Sequence, residues 1–302
     1  MKTCLWKRVI PVLLLLLLPL ALSGCKKAEP IQQNTGTISL ENSSNEADTT
    51  KESTPSESPQ KTIDQQNSSG ISPEESKEVD EFYQLWNQEQ INLNDSNFLN
   101  YYSLIRENAD TLMIYLDGSG YDSVMGVKDG DNWIRFGMPC SLATYFSNYD
   151  FLTMEKINVK MGGDHSTDPA VINNYTFDNR VSSAVSVIDS FLSNTDKDYK
   201  EIIIFGISQG GRILPRVYSQ LSNKNEITRL ITLGSGGLSQ YEDFMILKDS
   251  NLPMESGYKK GYAQIEEVYP DILENPDSVE KKYFGHAYKM WYGFGSSGVM
   301  VG

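Results

Sequence analysis

A serine stands at the centre of the pattern Gly206-Ile-Ser-Gln-Gly210, a G-x-S-x-G. A hydroxyl is a weak nucleophile unless it is held clear of neighbouring side chains and hydrogen-bonded to a base. Glycines on both sides of Ser208 permit a sharp turn that projects this hydroxyl, because they carry no side chains that would collide. The backbone N–H of Gln209 would then lie at a helix N-terminus, where partial positive charge favours a developing oxyanion. The pattern therefore predicts nucleophilic attack by Ser208.

Regular elements are predicted on both sides of this serine. Ile202 to Phe205 form a short apolar run that is typical of a buried strand. After the turn, apolar residues recur at helical spacing: Ile213, Leu214, Val217, Tyr218 and Leu221. A strand, a sharp turn and a helix in this order are the context that a G-x-S-x-G nucleophile requires, so we interpret the motif as functional.

Further strands and a helix are predicted around this unit. Buried strands are expected at Thr111–Asp117 and Ile157–Met161 before it, and at Thr228–Gly234 after it. Between the second of these strands and the motif, Asp178–Leu192 has apolar residues on one helical face. Strands that alternate with helices predict an α/β fold with a doubly wound, mostly parallel sheet. The ligand site is then expected outside the carboxyl ends of the strands.

The order of these elements, with Gly118-Ser119-Gly120 directly after the first strand, resembles the α/β-hydrolase fold of serine esterases, lipases and peptidases. The resemblance covers roughly residues 98–237. It implies a sheet of the α/β-hydrolase type, a helical lid-like insertion at 238–294, and an acyl-enzyme formed on Ser208 from a small ester or amide. It also implies an oxyanion hole made by the backbone N–H groups of Gln209 and Ser119. No cofactor is implied.

The resemblance stops short of a complete catalytic set. In the family, an Asp or Glu and then a His follow the serine on loops after later strands. Only 68 residues follow Gly234, and they contain no convincing buried strand. We therefore interpret the hydrolase domain, 72–302, as incomplete at its carboxyl end. The alternative to a hydrolase is a catalytically inactive or truncated derivative of the fold that acts as a ligand-binding lipoprotein.

Two histidines are the only candidates for the general base. His286 lies in the lid-like region, with no strand predicted before it, and is the first candidate. His165 precedes the serine in the chain and is the second, because a triad is defined by geometry rather than by order. No acid stands out, and the candidates for it are Asp164, Asp168, Asp243, Asp249 and Asp271.

The amino terminus has the pattern of an export signal. Residues 1–24 contain a basic start and an apolar run from Val9 to Leu22. Leu22-Ser-Gly-Cys25 resembles the lipobox of bacterial lipoproteins, which implies cleavage before Cys25 and lipid attachment to its thiol. The protein is then expected outside the cytoplasm, lipid-anchored to the cell membrane. The alternative is an ordinary signal peptide with an incidental cysteine.

Composition changes abruptly after the signal. Residues 25–71 are dominated by Ser, Thr, Asn, Gln, Glu, Lys and Pro, which predicts a disordered stalk. Loss of the three positive charges of the signal lowers the net charge from −14 to −17, which argues against nucleic acid as a partner. No histidine or cysteine spacing is typical of a metal site. The folded part is expected to begin at a capping box formed by Ser72 and Glu75.

Overall fold

The computed structural model describes residues 72–235, 238–254 and 256–296. The predicted signal peptide (1–24), the lipidation site Cys25 and the predicted stalk (25–71) lie outside these residues. Within the described ranges, every helix is too short or too polar to span a lipid bilayer.

A six-stranded sheet forms the centre of the fold, and two short hairpins lie outside it. The strands are β1 (Asn87–Asn92), β2 (Phe98–Leu104), β3 (Thr111–Leu116), β4 (Gly126–Asp129), β5 (Asn132–Phe136), β6 (Asp150–Met154), β7 (Glu201–Ile207), β8 (Arg229–Leu233), β9 (Lys282–Tyr283) and β10 (His286–Ala287). The order in the large sheet is β1-β2-β6-β3-β7-β8. Strands β6, β3, β7 and β8 are parallel, and β1 and β2 are antiparallel to their neighbours. Four carboxyl ends therefore meet at one edge of the sheet.

Nine α-helices accompany these strands in the described part of the chain. They are α1 (Pro73–Tyr83), α2 (Met138–Tyr145), α3 (Pro169–Asn174), α4 (Phe177–Asn194), α5 (Gln209–Gln220), α6 (Gln240–Asp249), α7 (Ser256–Ala263), α8 (Ile265–Glu274) and α9 (Tyr288–Ser296). The predicted capping box opens α1, because the Glu75 N–H donates to Ser72 Oγ (3.2 Å) and the Ser72 N–H donates to Glu75 Oε2 (2.9 Å).

Helices cover both faces of the sheet. Strand β3 lies in the middle, and all six of its residues are buried. Leu112 and Ile114 pack with residues of α4 and α5, whereas Met113 and Tyr115 pack with residues of α1 and α2 on the other face. Strands that are buried on both faces read as continuous apolar runs, which is why β3 and β7 were recognisable in the sequence. The predicted α/β fold with a doubly wound, mostly parallel sheet is confirmed.

One predicted strand is wrong. The strand expected at Ile157–Met161 is a segment of turns, and the parallel neighbour of β3 is β6, Asp150–Met154. Asn158 adopts a left-handed conformation with φ of 65°, which ends any extended run. Its side-chain Oδ1 accepts a hydrogen bond from the Phe98 N–H (3.0 Å), and the neighbouring Val159 is fully buried. The apolar residues of this segment pack into the core although the segment is a turn and not a strand.

The predicted lid-like region, 238–294, contains α6 to α9 and the hairpin β9–β10. The expectation that no strand precedes His286 is wrong, because β9 comes before it and His286 itself begins β10, where it pairs with Tyr283. The function of this region as a lid stays a prediction.

Candidate active site

The predicted turn at Ser208 is present and strained. Ser208 connects β7 to α5 with φ of 51° and ψ of −119°, a conformation that L-residues rarely adopt. A Cβ atom at Gly206 would lie 2.6 Å from the carbonyl carbon of Gly210, and one at Gly210 would overlap the carbonyl oxygen of Leu116. Only glycine fits at either position, because the helix turns back directly against the strands. We call residues 206–210 the elbow.

The Gly-Ser-Gly loop after β3 lies against the elbow. A Cβ atom at Gly118 would lie 3.4 Å from the Cβ of Ser208, so this loop and the serine are in direct proximity. Ser119 follows as an exposed residue. The backbone N–H of Gln209 is the first N–H of α5, and a first-turn N–H has no acceptor within its own helix. The structure therefore brings together the elements that carry Ser208, Gln209 and Ser119.

Several polar residues that the sequence did not single out surround the loop of residues 117–120, which we call the oxyanion loop after its predicted role. Tyr175 and Arg180 hydrogen-bond to it from the segment that precedes α4 and from the first turn of α4. Lys156, two residues after the end of β6, forms a 2.7 Å ion pair with Asp117, the residue after β3. Polar residues just after two parallel strands are a signal for a site at that edge of the sheet. The sequence did not show this signal, because the strand was predicted at Ile157–Met161 and not at Asp150–Met154.

The Asp117 carboxylate is held in its charged form. Burial acts to raise the pKa of this group, but the charge and hydrogen bond of Lys156, together with the Arg180 guanidinium, outweigh burial and lower the pKa below its ordinary value. Tyr115 Oη also donates to Asp117 Oδ1 (3.2 Å). A carboxylate engaged in this way stabilises the loop and is a poor acceptor for a substrate proton.

His286 lies in an aromatic cluster beside the site. Its ring centroid is 5.1 Å from that of Tyr121, 6.4 Å from that of Tyr175 and 5.9 Å from that of Trp291. Burial, with a smaller contribution from the positive charge of Lys156, lowers the pKa of His286 to about 4. The imidazole is therefore neutral at pH 7. Its Nδ1 is buried, and no described residue forms a hydrogen bond with it.

His165 is occupied within its own loop. Its Nε2 accepts a hydrogen bond from the Lys160 N–H (3.2 Å), and its Nδ1 lies 3.5 Å from Asp168 Oδ2. A base needs one nitrogen available to receive the serine proton, and both nitrogens of this ring already face local partners. Among the described residues, neither His165 nor His286 forms a hydrogen bond with Ser208.

The five acid candidates also have local partners. Asp164 Oδ1 accepts from the Ser166 N–H (2.8 Å), and Asp168 Oδ1 accepts from the Ala170 N–H at the start of α3 (2.9 Å). Asp243 pairs with Arg212, Asp249 with Lys248, and Asp271 with Lys281. None of these hydrogen bonds or ion pairs involves His286. The described residues therefore place the predicted nucleophile, Ser208, beside the predicted oxyanion-hole elements without an assembled acid–base pair.

No metal centre occurs in the described part of the chain. Nowhere within it do three or more His, Cys, Asp and Glu side chains approach each other closely enough to hold an ion.

Comparison with known proteins gives structural matches only. The sequence matches no protein-family model, and no curated protein sequence matches it. Homoserine O-acetyltransferase from Staphylococcus aureus matches with 16% identity, a TM-score of 0.37, and coverage of 54% of this chain and 51% of that chain. An α/β-hydrolase fold protein of unknown function matches with 14% identity, a TM-score of 0.43, and coverage of 69% and 62%. A thermostable carboxyl esterase from Bacillus coagulans matches with 9% identity, a TM-score of 0.36, and coverage of 65% and 53%.

The chain thus spans about half to two thirds of the length of these solved structures. The sheet order, the elbow after β7 and the glycine loop after β3 agree with the α/β-hydrolase arrangement that the sequence predicted.

Proposed function

We propose that this protein is a serine hydrolase that cleaves small carboxylic esters or amides through an acyl-enzyme on Ser208. The observation that carries the proposal is the strained backbone of Ser208, with φ of 51°, held beside Gly118 of the oxyanion loop. Backbone strain of this kind costs on the order of 1–3 kcal/mol and persists where the surrounding structure enforces it, most often at active sites. The two close-packed glycines of the elbow enforce it here.

The proposed reaction has two steps. Ser208 Oγ attacks the substrate carbonyl carbon while a base takes its proton, and the carbonyl oxygen becomes an oxyanion. The N–H groups of Gln209 and Ser119 donate to this oxyanion, which stabilises the tetrahedral intermediate. Collapse of the intermediate breaks the bond to the leaving group, which departs as an alcohol or amine with the proton. Water then attacks the acyl-enzyme in the same way, which releases the acid and restores Ser208.

His286 is the base in this proposal. It is neutral at pH 7, as a proton acceptor must be, and its cluster includes Tyr175, whose hydroxyl donates to the Gln209 side chain beside Ser208. Catalytic hydrogen bonds in unliganded enzymes are frequently long and form fully only with substrate bound. His286 lies on the short hairpin β9–β10, so the proposal requires a movement of this hairpin that brings the imidazole within hydrogen-bond reach of Ser208 Oγ.

Location is part of the same proposal and rests on sequence alone. Cys25 follows a lipobox-like segment, and the polar residues 25–71 separate it from the folded domain. We propose that the protein is lipid-anchored on the outer side of the cell membrane, with the stalk placing the hydrolase domain away from the lipid surface.

A fluorophosphonate probe tests the hydrolase proposal directly, because it reacts with activated serines. The full chain is expected to label, Ser208→Ala is expected not to label, and Ser219→Ala, which changes an exposed serine on the same helix, is expected to label like the wild type. Loss of labelling in both variants, or in neither, contradicts the assignment of Ser208.

A ligand-binding protein without activity is the second candidate, and one observation favours it. Nδ1 of His286 has no described partner, so no carboxylate orients this ring as in an assembled triad. With p-nitrophenyl butyrate as probe, the hydrolase proposal predicts release of p-nitrophenol. The binding proposal predicts a ligand-dependent rise in Tm without that release.

A further inference from the structure

The two donors of the proposed oxyanion hole belong to different elements, and one tyrosine connects them. Ser119 lies in the oxyanion loop after β3, whereas Gln209 begins α5. Tyr175 lies directly before the Thr176 N-cap of α4 and is only 2% exposed. Its hydroxyl accepts a hydrogen bond from the Gly120 N–H (3.2 Å) and donates one to Oε1 of Gln209 (2.7 Å). A single buried oxygen therefore bridges the loop and the elbow.

The hydrogen-bonding capacity of this hydroxyl is fully used. A phenolic hydroxyl has one donor and two acceptor positions. The Tyr175 hydroxyl donates to the Gln209 side chain, and it accepts hydrogen bonds from the Gly120 N–H and from Nη1 of Arg180 (3.3 Å). A fully satisfied buried group holds its partners in one arrangement, because any movement leaves a buried polar atom without a partner.

Arg180 holds the oxyanion loop through two of its backbone carbonyl groups. Its Nη1 donates to the carbonyl oxygen of Gly118 (3.1 Å), and its Nη2 donates to the carbonyl oxygen of Asp117 (2.6 Å). In a trans peptide unit, the C=O of one residue and the N–H of the next point in opposite directions. By holding the Gly118 carbonyl, the guanidinium directs the Ser119 N–H away from itself. The planar fork of arginine suits two adjacent carbonyl groups, which a lysine ammonium cannot match.

The guanidinium is itself held in place by charge and by packing. Arg180 is 9% exposed, and its carbon Cζ lies 5.6 Å from the centroid of the Tyr175 ring, within the range of a cation–π contact. The negative charge of Asp117, which is ion-paired with Lys156, also attracts it. Tyr175 and Arg180 are thus buried and held by polar contacts on the loop.

We propose that Tyr175 and Arg180 are positioning residues that set the separation and orientation of the Gln209 and Ser119 N–H donors. This inference rests on the proposed function, because it assigns these residues to the transition state of that reaction. Neither side chain touches the reacting atoms, so their effect is on the rate of the chemical step and not on the binding of the reagent. A misplacement of about 1 Å in a catalytic group reduces the rate by about a hundredfold.

The test separates binding from chemistry with a fluorophosphonate probe on the full chain, by measuring the inactivation constant kinact and the binding constant KI. Tyr175→Phe removes the bridging oxygen and retains the ring, and Arg180→Lys retains the charge and removes the fork. Both are expected to lower kinact by roughly tenfold to a hundredfold, with KI within about twofold of the wild type. Tyr199→Phe is the matched control, because it removes a hydroxyl bonded to Asp150 at the amino end of β6 and should not change kinact.

Each outcome decides the matter. A wild-type kinact in Tyr175→Phe overturns the positioning role while the hydrolase proposal stands. A wild type that labels no faster than Ser208→Ala overturns the proposed function, and the positioning role with it. If Tyr175→Phe does not fold, as shown by loss of its thermal transition, the decision rests on Arg180→Lys. An unchanged kinact in Arg180→Lys then overturns the inference, and a lowered kinact with unchanged KI supports it.

Discussion

The guanidinium of Arg212, in the first turn of α5, forms an ion pair with the carboxylate of Asp243 on α6. Arg212 also donates to the carbonyl oxygen of Leu238, and Nε2 of Gln209 donates to Oε1 of Gln240 (3.3 Å). The start of the elbow helix is therefore attached to α6 at two points and, at a third, to Leu238 just before α6. Any movement of α6 away from α5 has to break polar contacts that originate in the first turn of α5.

The ion pair gives the first prediction, on stability. The side chain of Arg212 is only 5% exposed, so Asp243→Asn leaves a buried guanidinium without its counter-charge. We expect the free energy of unfolding to fall by about 3 kcal/mol, measured by urea denaturation. Asp110→Asn is the control, since it removes an exposed pair with Lys200 and should leave the urea midpoint unchanged. Equal shifts in both variants would show that the pair is energetically an ordinary surface contact.

The central strands were predictable because burial on both faces leaves an unbroken apolar run. Strands β3 and β7, which lie next to each other in the large sheet, follow this rule. Strand β1, Asn87–Asn92, is a mostly exposed edge strand with polar residues on both faces, so its sequence carries no periodic signal. Strand β6 begins with the buried Asp150, and a buried charge at the start of a strand is not an expected pattern. Its partners are distant in sequence, among them Lys197 Nζ at 2.8 Å and Tyr199 Oη at 2.8 Å.

The candidate site was predictable only where a local motif encodes it. The glycines that permit the turn, Gly206 and Gly210, lie within two residues of Ser208, so the elbow was recognisable. The bridge from Tyr175 to Gln209 joins residues 34 positions apart, and the Arg180 contact to Gly118 joins residues 62 positions apart. Such contacts are products of the tertiary fold, and no local spacing reports them.

The second prediction concerns Glu155 and the pH dependence of stability. Burial raises the pKa of this carboxyl from an ordinary 4.5 to about 7, even though Ser123 and the Val124 N–H donate hydrogen bonds to it. Between about pH 4.5 and 7 the folded state keeps a proton that the unfolded state has released. The free energy of unfolding contributed by Glu155 therefore falls as pH rises through this window, by on the order of 2–3 kcal/mol.

Glu155→Gln isolates this contribution, since the amide cannot ionise. We expect the wild type to lose stability relative to the variant as pH rises from 4.5 to 7. Above pH 8, the difference between their free energies of unfolding should be constant. A difference that is independent of pH over this range would show that Glu155 titrates at its ordinary value in the folded protein.

The third prediction distinguishes two glycines beside the serine. A Cβ at Gly210 would overlap the carbonyl oxygen of Leu116, a backbone atom that cannot move aside. We expect Gly210→Ala to lower the free energy of unfolding by about 2 kcal/mol or more. Gly118→Ala is the comparison, because its Cβ would make an ordinary 3.4 Å contact with the Cβ of Ser208. That variant should fold with a nearly unchanged Tm, and thermal melts by circular dichroism measure both. A similar Tm for the two variants contradicts the tight elbow.

The fourth prediction concerns the amino terminus. If Cys25 carries the lipid, metabolic labelling with an alkyne analogue of palmitate should mark the wild-type protein and not Cys25→Ala. Cys4→Ala is the control, because Cys4 lies in the predicted signal peptide, whose removal would leave labelling unaffected. The wild type is expected in the membrane fraction and Cys25→Ala in the soluble fraction. Equal labelling of wild type and Cys25→Ala would refute lipidation at this residue.

The fifth prediction tests His286 as the base through its lowered pKa. A base accepts the serine proton only in its neutral form, so the rate of fluorophosphonate labelling should rise with pH and level off above the pKa of the free enzyme. Because burial lowers the pKa of His286 to about 4, the midpoint of this acid limb is expected near pH 4. Labelling by an enzyme with an ordinary histidine base would instead rise around pH 6.5.

The same pKa shift affects stability in the opposite sense to Glu155. Between about pH 4 and 6.5 the unfolded state binds a proton at His286 that the folded state does not, so the contribution of His286 to the free energy of unfolding increases with pH. His286→Gln should remove this pH dependence of stability. It should also lower the rate of labelling by about a hundredfold or more. His165→Gln is the matched control and should retain the rate, because both ring nitrogens of His165 already face partners in its own loop. An acid limb near pH 6.5 that disappears in His165→Gln would transfer the role of base to that residue.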